Sequence, residues 1–238
     1  MINPKRIVPD DAIKIHGYSQ EYLSDKDTFD KVADDFINFV KNKKIIIHNA
    51  PFDIGFLNGE LNFVKKELIK KMDELGIILD VTHLSDQCFF EALDIYTGTV
   101  WASHSNCRAL VENPRQFSDE QIKLLIERGA VLGSVYDAWM MIPDWVRGTS
   151  TPESTGVKLE HIVNHIDHIC QLAGNTHHVG IGSDLDGGFG REQSPLDLNT
   201  IADLQNLEGI LSKRGYNEED IAGIFSGNFL RLLREAWT

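Results

Sequence analysis

The stretch Leu75-Gly-Ile-Ile-Leu-Asp-Val-Thr-His-Leu-Ser-Asp86 decides the fold: a short continuous apolar run, Ile77–Val81, ends in a histidine, His83. The same plan recurs downstream. Val100–Ala102 leads through Ser103 to His104, and Val179–Ile181 leads through Gly182 and Ser183 to Asp184. A fourth run, Val131–Val135, lies between them. Each run is followed by a loop and a helical segment, the last spanning Ile221 to Trp237. Unbroken apolar strands alternating with helices imply a parallel sheet with helices packed on its faces. Ser118-Asp-Glu-Gln121 reads as a capping box that starts one of those helices, and Pro143–Gly156 reads as an excursion loop.

Upstream, Phe29, Val32, Ala33, Phe36, Ile37 and Val40 fall at helical spacing over Thr28–Val40, with Asp27 as N-cap. A strand over Lys44–His48 follows, then a helical stretch from Ile54 to Leu75 closed by Gly76. These make five βα units in all, which suits part of a (β/α)8 barrel or a doubly wound sheet.

The 238 residues carry a net charge of −13, with 42% hydrophobic and 25% charged residues. Nearly all the excess is acidic and lies after residue 68: the net is −1 over residues 1–68 and −12 over 69–238. A broad surface for nucleic acid or anionic membrane is not expected on such a chain. No apolar run approaches the roughly 18 residues of a spanning helix, and MINPKRIVPDD lacks a signal-peptide core. Cys88, Cys107 and Cys170 are widely spaced, with no C-x-x-C, and read as free thiols of a reducing compartment. The expected location is cytoplasmic.

In parallel α/β folds the C-terminal strand ends converge on one face, which carries the active site. His83, His104 and Asp184 each stand just past such an end. Taken singly, each is equally a polar residue hydrogen-bonded in a loop. Taken together, two imidazoles and a carboxylate suit zinc.

LGIILDVTHLSD (75–86), WASHSNCRALVENPRQFSDEQIK (101–123), HIDHICQLAG (165–174), HHVGIGSDLDG (177–187) and GNFLRLLREAW (227–237) together resemble the second half of the membrane (renal-type) dipeptidases, peptidase family M19. The resemblance covers about residues 66–238. It implies an amidohydrolase-like (β/α)8 barrel, here its strands five to eight, and a zinc centre of one or two ions that cleaves small peptides. It makes His83 and His104 the histidines of one zinc, and Asp184 the aspartate on the other, which also relays a proton. Arg115 becomes the holder of the substrate carboxylate. The family's first-strand His-x-Asp and bridging glutamate have no counterpart. His165-Ile-Asp167 is a decoy in a helical run, where residues i and i+2 face apart, and Glu60 sits in a helical stretch. His161, His165 and His168 read as packed or solvated helix histidines.

Residues 3–61, ending in HNAPFDIGFLNGEL, resemble the proofreading exonuclease (epsilon) subunit of bacterial DNA polymerase III. That resemblance makes Asp53 one of four acidic metal ligands whose other members have no matching context. The expected organisation is therefore 1–65 as an exonuclease-like fragment and 66–238 as a dipeptidase-like half-barrel. The fragment contributes a borrowed βα unit that places His48 at a strand end as a candidate catalytic histidine. The expected activity is metal-dependent dipeptide hydrolysis. A catalytically inactive metal-binding half-barrel, and a 3′–5′ exonuclease fragment, are its rivals. Exposed apolar faces on Ile45–Ile47, Ile77–Val81 and Val179–Ile181 would favour a twofold homodimer.

Overall fold

In the computed structural model the described residues are 2–4, 7–10, 13–14, 17–28, 31–32, 35, 67–185 and 187–237. The Lys44–His48 run, and with it His48, Asp53 and Glu60, lies outside them. The chain divides into two compact units, Met1–Leu75 and Gly76–Thr238.

In the first unit a parallel bridge joins Asn3 to Thr28. The short helix α1 (Gln20–Ser24) starts at Ser19, whose hydroxyl accepts the Tyr22 N–H. Of the expected helix over Thr28–Val40, Lys31, Val32 and Asp35 are described, and all three are helical. Helix α2 (Glu67–Glu74) ends just before Gly76, which takes the left-handed φ of +64° expected of a helix-terminating glycine.

Among the described residues the second unit is α/β and holds four short parallel strands: β1 (Leu79–Asp80), β2 (Val100–Trp101), β3 (Leu132–Ser134) and β4 (Val179–Ile181). β1 pairs with β2 and β3 with β4. A parallel bridge between Ala102 and Leu132 joins the two pairs, so the order is β1-β2-β3-β4. β1, β2 and β3 are each shorter than the apolar run that announced them, whereas β4 spans its run, and the sheets are small and open. Helices fill the connections: α3 (Asp86–Leu93), α4 (Asp119–Glu127), α5 (Ala138–Met141), α6 (Pro152–Thr155), α7 (Leu159–Ala173), α8 (Asn206–Lys213), α9 (Glu218–Ala222) and α10 (Asn228–Ala236).

Local chemistry explains these boundaries. α4 starts at the capping box read from the sequence, with the Ser118 hydroxyl accepting from Gln121 N and the Gln121 amide oxygen accepting from Ser118 N. The expected excursion loop contains α6, started by Thr151 and Pro152 and ended by Gly156 at φ +69°. The expected helix Ile221–Trp237 is continuous but not uniformly α: a π-turn at Gly223–Gly227 joins α9 to α10. Gly223 and Gly227, four residues apart, lower the α-helical propensity there.

The core is built from Phe89 and Ala92 of α3, Ile122 and Leu125 of α4, Leu159, Ile162 and Ile166 of α7, and Leu207 and Leu211 of α8, all buried. Of the runs expected to face solvent in part, Leu79, Val81 and Val179 are buried and Ile77, Ile78 and Ile181 are half-buried. Ile45–Ile47 lie outside the described residues. Among the described residues no helix is long and apolar enough to cross a membrane.

Candidate active site

The parallel register sets the site. Asp80 pairs with Trp101, so residues three further along, His83 and His104, leave equivalent positions on neighbouring strands. Their Nε2 atoms are 3.0 Å apart. Asp184 stands three residues past Ile181 of β4, with β3 intervening between its strand and that of His104. Its Oδ2 is 3.7 Å from His104 Nε2. Two strands of separation, at about 4.8 Å each, explain why the carboxylate stands further off than the imidazole pair.

Arg115 reaches this pair from the loop before α4. Its Nη2 donates to His83 Nε2 at 3.0 Å and to the His104 carbonyl at 2.9 Å, and its Nη1 donates to Ser105 Oγ at 3.2 Å. A guanidinium only donates, so His83 Nε2 presents its lone pair. Burial first, then the Arg115 charge, push both imidazoles down to about 3, so both rings are neutral near pH 7. Burial also brings Arg115 down to about 10, against the opposing pull of Asp184, Asp80 and Asp137.

Behind the rings lies a layer of polar groups not singled out in the sequence. Ser103 Oγ is 2.8 Å from His104 Nδ1, which fixes the ring's orientation. The buried Asp80 accepts the Thr82 N–H at 3.0 Å and the Ser103 N–H at 3.1 Å, tying β1 to β2 immediately before both histidines. Ser103 is also seated in a notch: a Cβ added at Gly133 or Gly182 would fall 2.0 Å from the Ser103 carbonyl oxygen. Two site residues, His83 at φ +66° and Asp184 at φ +56°, hold left-handed backbone.

The missed residue with the clearest signal is Asp137. It follows β3 just as His83, His104 and Asp184 follow their strands, so the strand-end rule would have found it. The helix histidines behave as read. His161 Nδ1 accepts the Lys158 N–H, His168 pairs with Asp119 at 2.8 Å, and the buried His165 bridges Cys107 N and the Met141 carbonyl. Cys88, Cys107 and Cys170 are free thiols, the last two buried.

The donor set fits an ion in part. Two ring nitrogens sharing a tetrahedral zinc at about 2.0–2.1 Å lie roughly 3.3 Å apart, close to the 3.0 Å found between His83 and His104. Both rings are neutral, as ligands must be. Among the described residues, however, no three His, Cys, Asp or Glu side chains are gathered closely enough to hold an ion. The structure brings together the histidine pair and Arg115, with Asp184 at the margin.

Comparison with known proteins shows which family and fold these residues sit in. Residues 52–238 match the family Membrane dipeptidase (Peptidase family M19). An uncharacterized protein in the pqqA 5′ region of Klebsiella pneumoniae is 31% identical over 171 residues, 72% of this chain and 59% of that protein. The DNA polymerase III epsilon subunit of Rickettsia felis is 39% identical over 136 residues, 57% of this chain and 54% of that protein. A likeness of that length extends beyond residue 61, into the span that also matches M19. The fold resembles a metallo peptidase from Rhodobacter sphaeroides, solved with a phosphinate mimic of the dipeptide L-Ala-D-Ala. Its TM-score is 0.62 at 23% identity, covering 73% of this chain and 46% of that one. The chain thus spans about half the length of the relatives it matches. With the match running from residue 52 through residue 238, this chain belongs to the membrane dipeptidase family, peptidase family M19.

Proposed function

We propose that the chain is a zinc-dependent hydrolase of dipeptides or similar small amides, built on strands five to eight of the family's barrel. The observation that carries this reading is the meeting of His83 and His104 at 3.0 Å beneath the Arg115 guanidinium. His83 and His104 would hold one ion and Asp184 the other, so the centre would take one or two ions. Bound zinc supplies Lewis acidity, polarising the amide carbonyl and acidifying water. Arg115 offers a planar fork that pairs with the substrate carboxylate. The Asp184 carboxylate takes a proton from the attacking water and returns it to the leaving amine. His48, outside the described residues, is kept as a second acid–base candidate from the sequence pattern alone.

A second reading rests on the length relation: a chain matching about half of its relatives is a metal-binding half-barrel without turnover. The experiment is zinc counting on purified chain, paired with a dipeptide panel that includes L,D-dipeptides and with single-stranded DNA. Zinc-dependent peptide cleavage supports the first reading. Bound zinc without cleavage supports the second, and DNA cleavage would move the function to the first segment and Asp53. No zinc and no cleavage overturns both metal readings.

A further inference from the structure

Three loops meet on one buried carboxylate that the proposed chemistry does not use. Asp137, just past β3, accepts a hydrogen bond from Trp139 Nε1 on Oδ2 and from Gln193 Nε2 on Oδ1, the latter at 2.7 Å. Arg147, from the loop before α6, lies 3.8 Å from Oδ2 and stacks over the Trp139 ring, 4.1 Å from its centroid. Gln193 belongs to the segment that leaves β4, and that segment begins at Asp184. It is hydrogen-bonded within itself, Ser194 Oγ donating to the Gly190 carbonyl at 3.0 Å and Gly190 N donating to Glu192 Oε1 at 2.9 Å.

The register gives this contact its meaning. Ser134 pairs with Ile181, so Asp137 and Asp184 stand at equivalent positions on neighbouring strands. Asp137 also acts electrostatically on Arg115, which places it beside the site. Yet its own carboxylate oxygens are both engaged by neighbouring side chains and its side chain is only 9% exposed. A group so enclosed is suited to holding its neighbours and poorly suited to meeting a substrate.

We propose that Asp137 is a positioning residue: through Gln193 it pins the segment that carries Asp184 to the end of β3, and so holds Asp184 where a bound dipeptide meets it. This rests on the dipeptidase reading for its consequence, while the tie itself is independent of it.

The test uses the full chain and two kinds of readout. Asp137→Asn turns one acceptor into a donor facing the Gln193 amide, so amide hydrogen exchange over residues 187–194 should accelerate about tenfold or more, the effect of losing one charge-assisted hydrogen bond. Exchange in β1 and β2 should stay unchanged. In the zinc-loaded protein kcat for the dipeptide should fall by a similar factor, because Asp184 moves the proton, while KM changes little. The double variant Asp137→Asn with Gln193→Glu reverses the polarity of the bond: the Asn amide donates to the new carboxylate, and its oxygen still accepts from Trp139. It should restore both exchange and kcat. Unchanged exchange over 187–194 in the single variant, equal acceleration throughout the unit, or no rescue by the double variant overturns the proposal. If the wild-type chain cleaves no dipeptide, the dipeptidase reading fails, and the exchange and rescue measurements still decide the tie.

Discussion

His83 and His104 leave equivalent positions on two paired parallel strands, and their Nε2 atoms come within 3.0 Å of one another. The pairing of Asp80 with Trp101 is enough to deliver this. Three residues beyond a registered pair, both chains have left the sheet on the same side, and both carry an imidazole. The site is therefore a product of register, and slipping either strand by one residue would turn one ring away.

Removing the Ser103 hydroxyl tests how far the ring orientation matters. Ser103→Ala leaves both histidines in place but frees His104 Nδ1, and zinc affinity should fall about 10–100-fold, the usual cost of losing an outer partner of a ligating histidine. His83→Ala or His104→Ala should lower it further. A competition titration against a chromogenic chelator measures both, and unchanged zinc affinity in the histidine double variant would sink the assignment.

Arg115→Lys keeps the charge and loses the fork. Lysine cannot serve His83, the His104 carbonyl and Ser105 together, nor pair side by side with a carboxylate. The dipeptide KM should rise at least tenfold, with a smaller effect on substrates whose C-terminal carboxylate is amidated. Equal effects on free and amidated substrates would show that the guanidinium does not meet that carboxylate.

Acid should weaken the fold through His165. Burial pushes this imidazole down to about 4 from an ordinary value of 6.5. Because the unfolded chain takes up the proton first, the stabilisation is fully present above pH 6.5 and is lost as pH falls toward 4. Its size is about 3 kcal/mol, from a shift of about 2.5 pH units. Denaturant midpoints from pH 7 to pH 4 should fall steeply in the wild type and less so in His165→Gln. Parallel slopes would assign the acid sensitivity elsewhere.

Gly133 and Gly182 are fixed by space. A methyl group at either position meets the Ser103 carbonyl oxygen at 2.0 Å, and backbone cannot step aside as a flexible side chain can. Gly182→Ala should cost about 3 kcal/mol or more of stability, at the upper end of overpacking effects. Gly209→Ala, where the added carbon meets nothing within 4 Å, is the control. Urea unfolding of the two variants distinguishes them.

The sequence was most legible where apolar continuity and a following polar residue coincide. His83, His104 and Asp184 were found that way, and Ser118–Gln121 was found by its capping chemistry. Asp137 obeys the same rule yet was hidden by Tyr136, whose ring prolongs the apolar run. Asp80 was hidden because a carboxylate inside a strand reads as simple alternation, whereas here it binds two backbone N–H groups across β1 and β2. The convergence of Arg115 on His83 depends on a long side chain folding back over ten residues of loop, and no local pattern encodes that. The π-turn in the last helix was visible in its glycines, and helical periodicity on both sides rightly carried the reading across it.

The left-handed backbone at His83 and Asp184 sets function against folding. An L side chain there costs on the order of 1–2 kcal/mol relative to glycine, though histidine and aspartate bear it better than most. Glycine at either position would relax the chain and erase the chemistry together. A lineage of this protein selected for durability alone would drift toward a sturdier and emptier molecule, so durability and this chemistry pull these two positions in opposite directions.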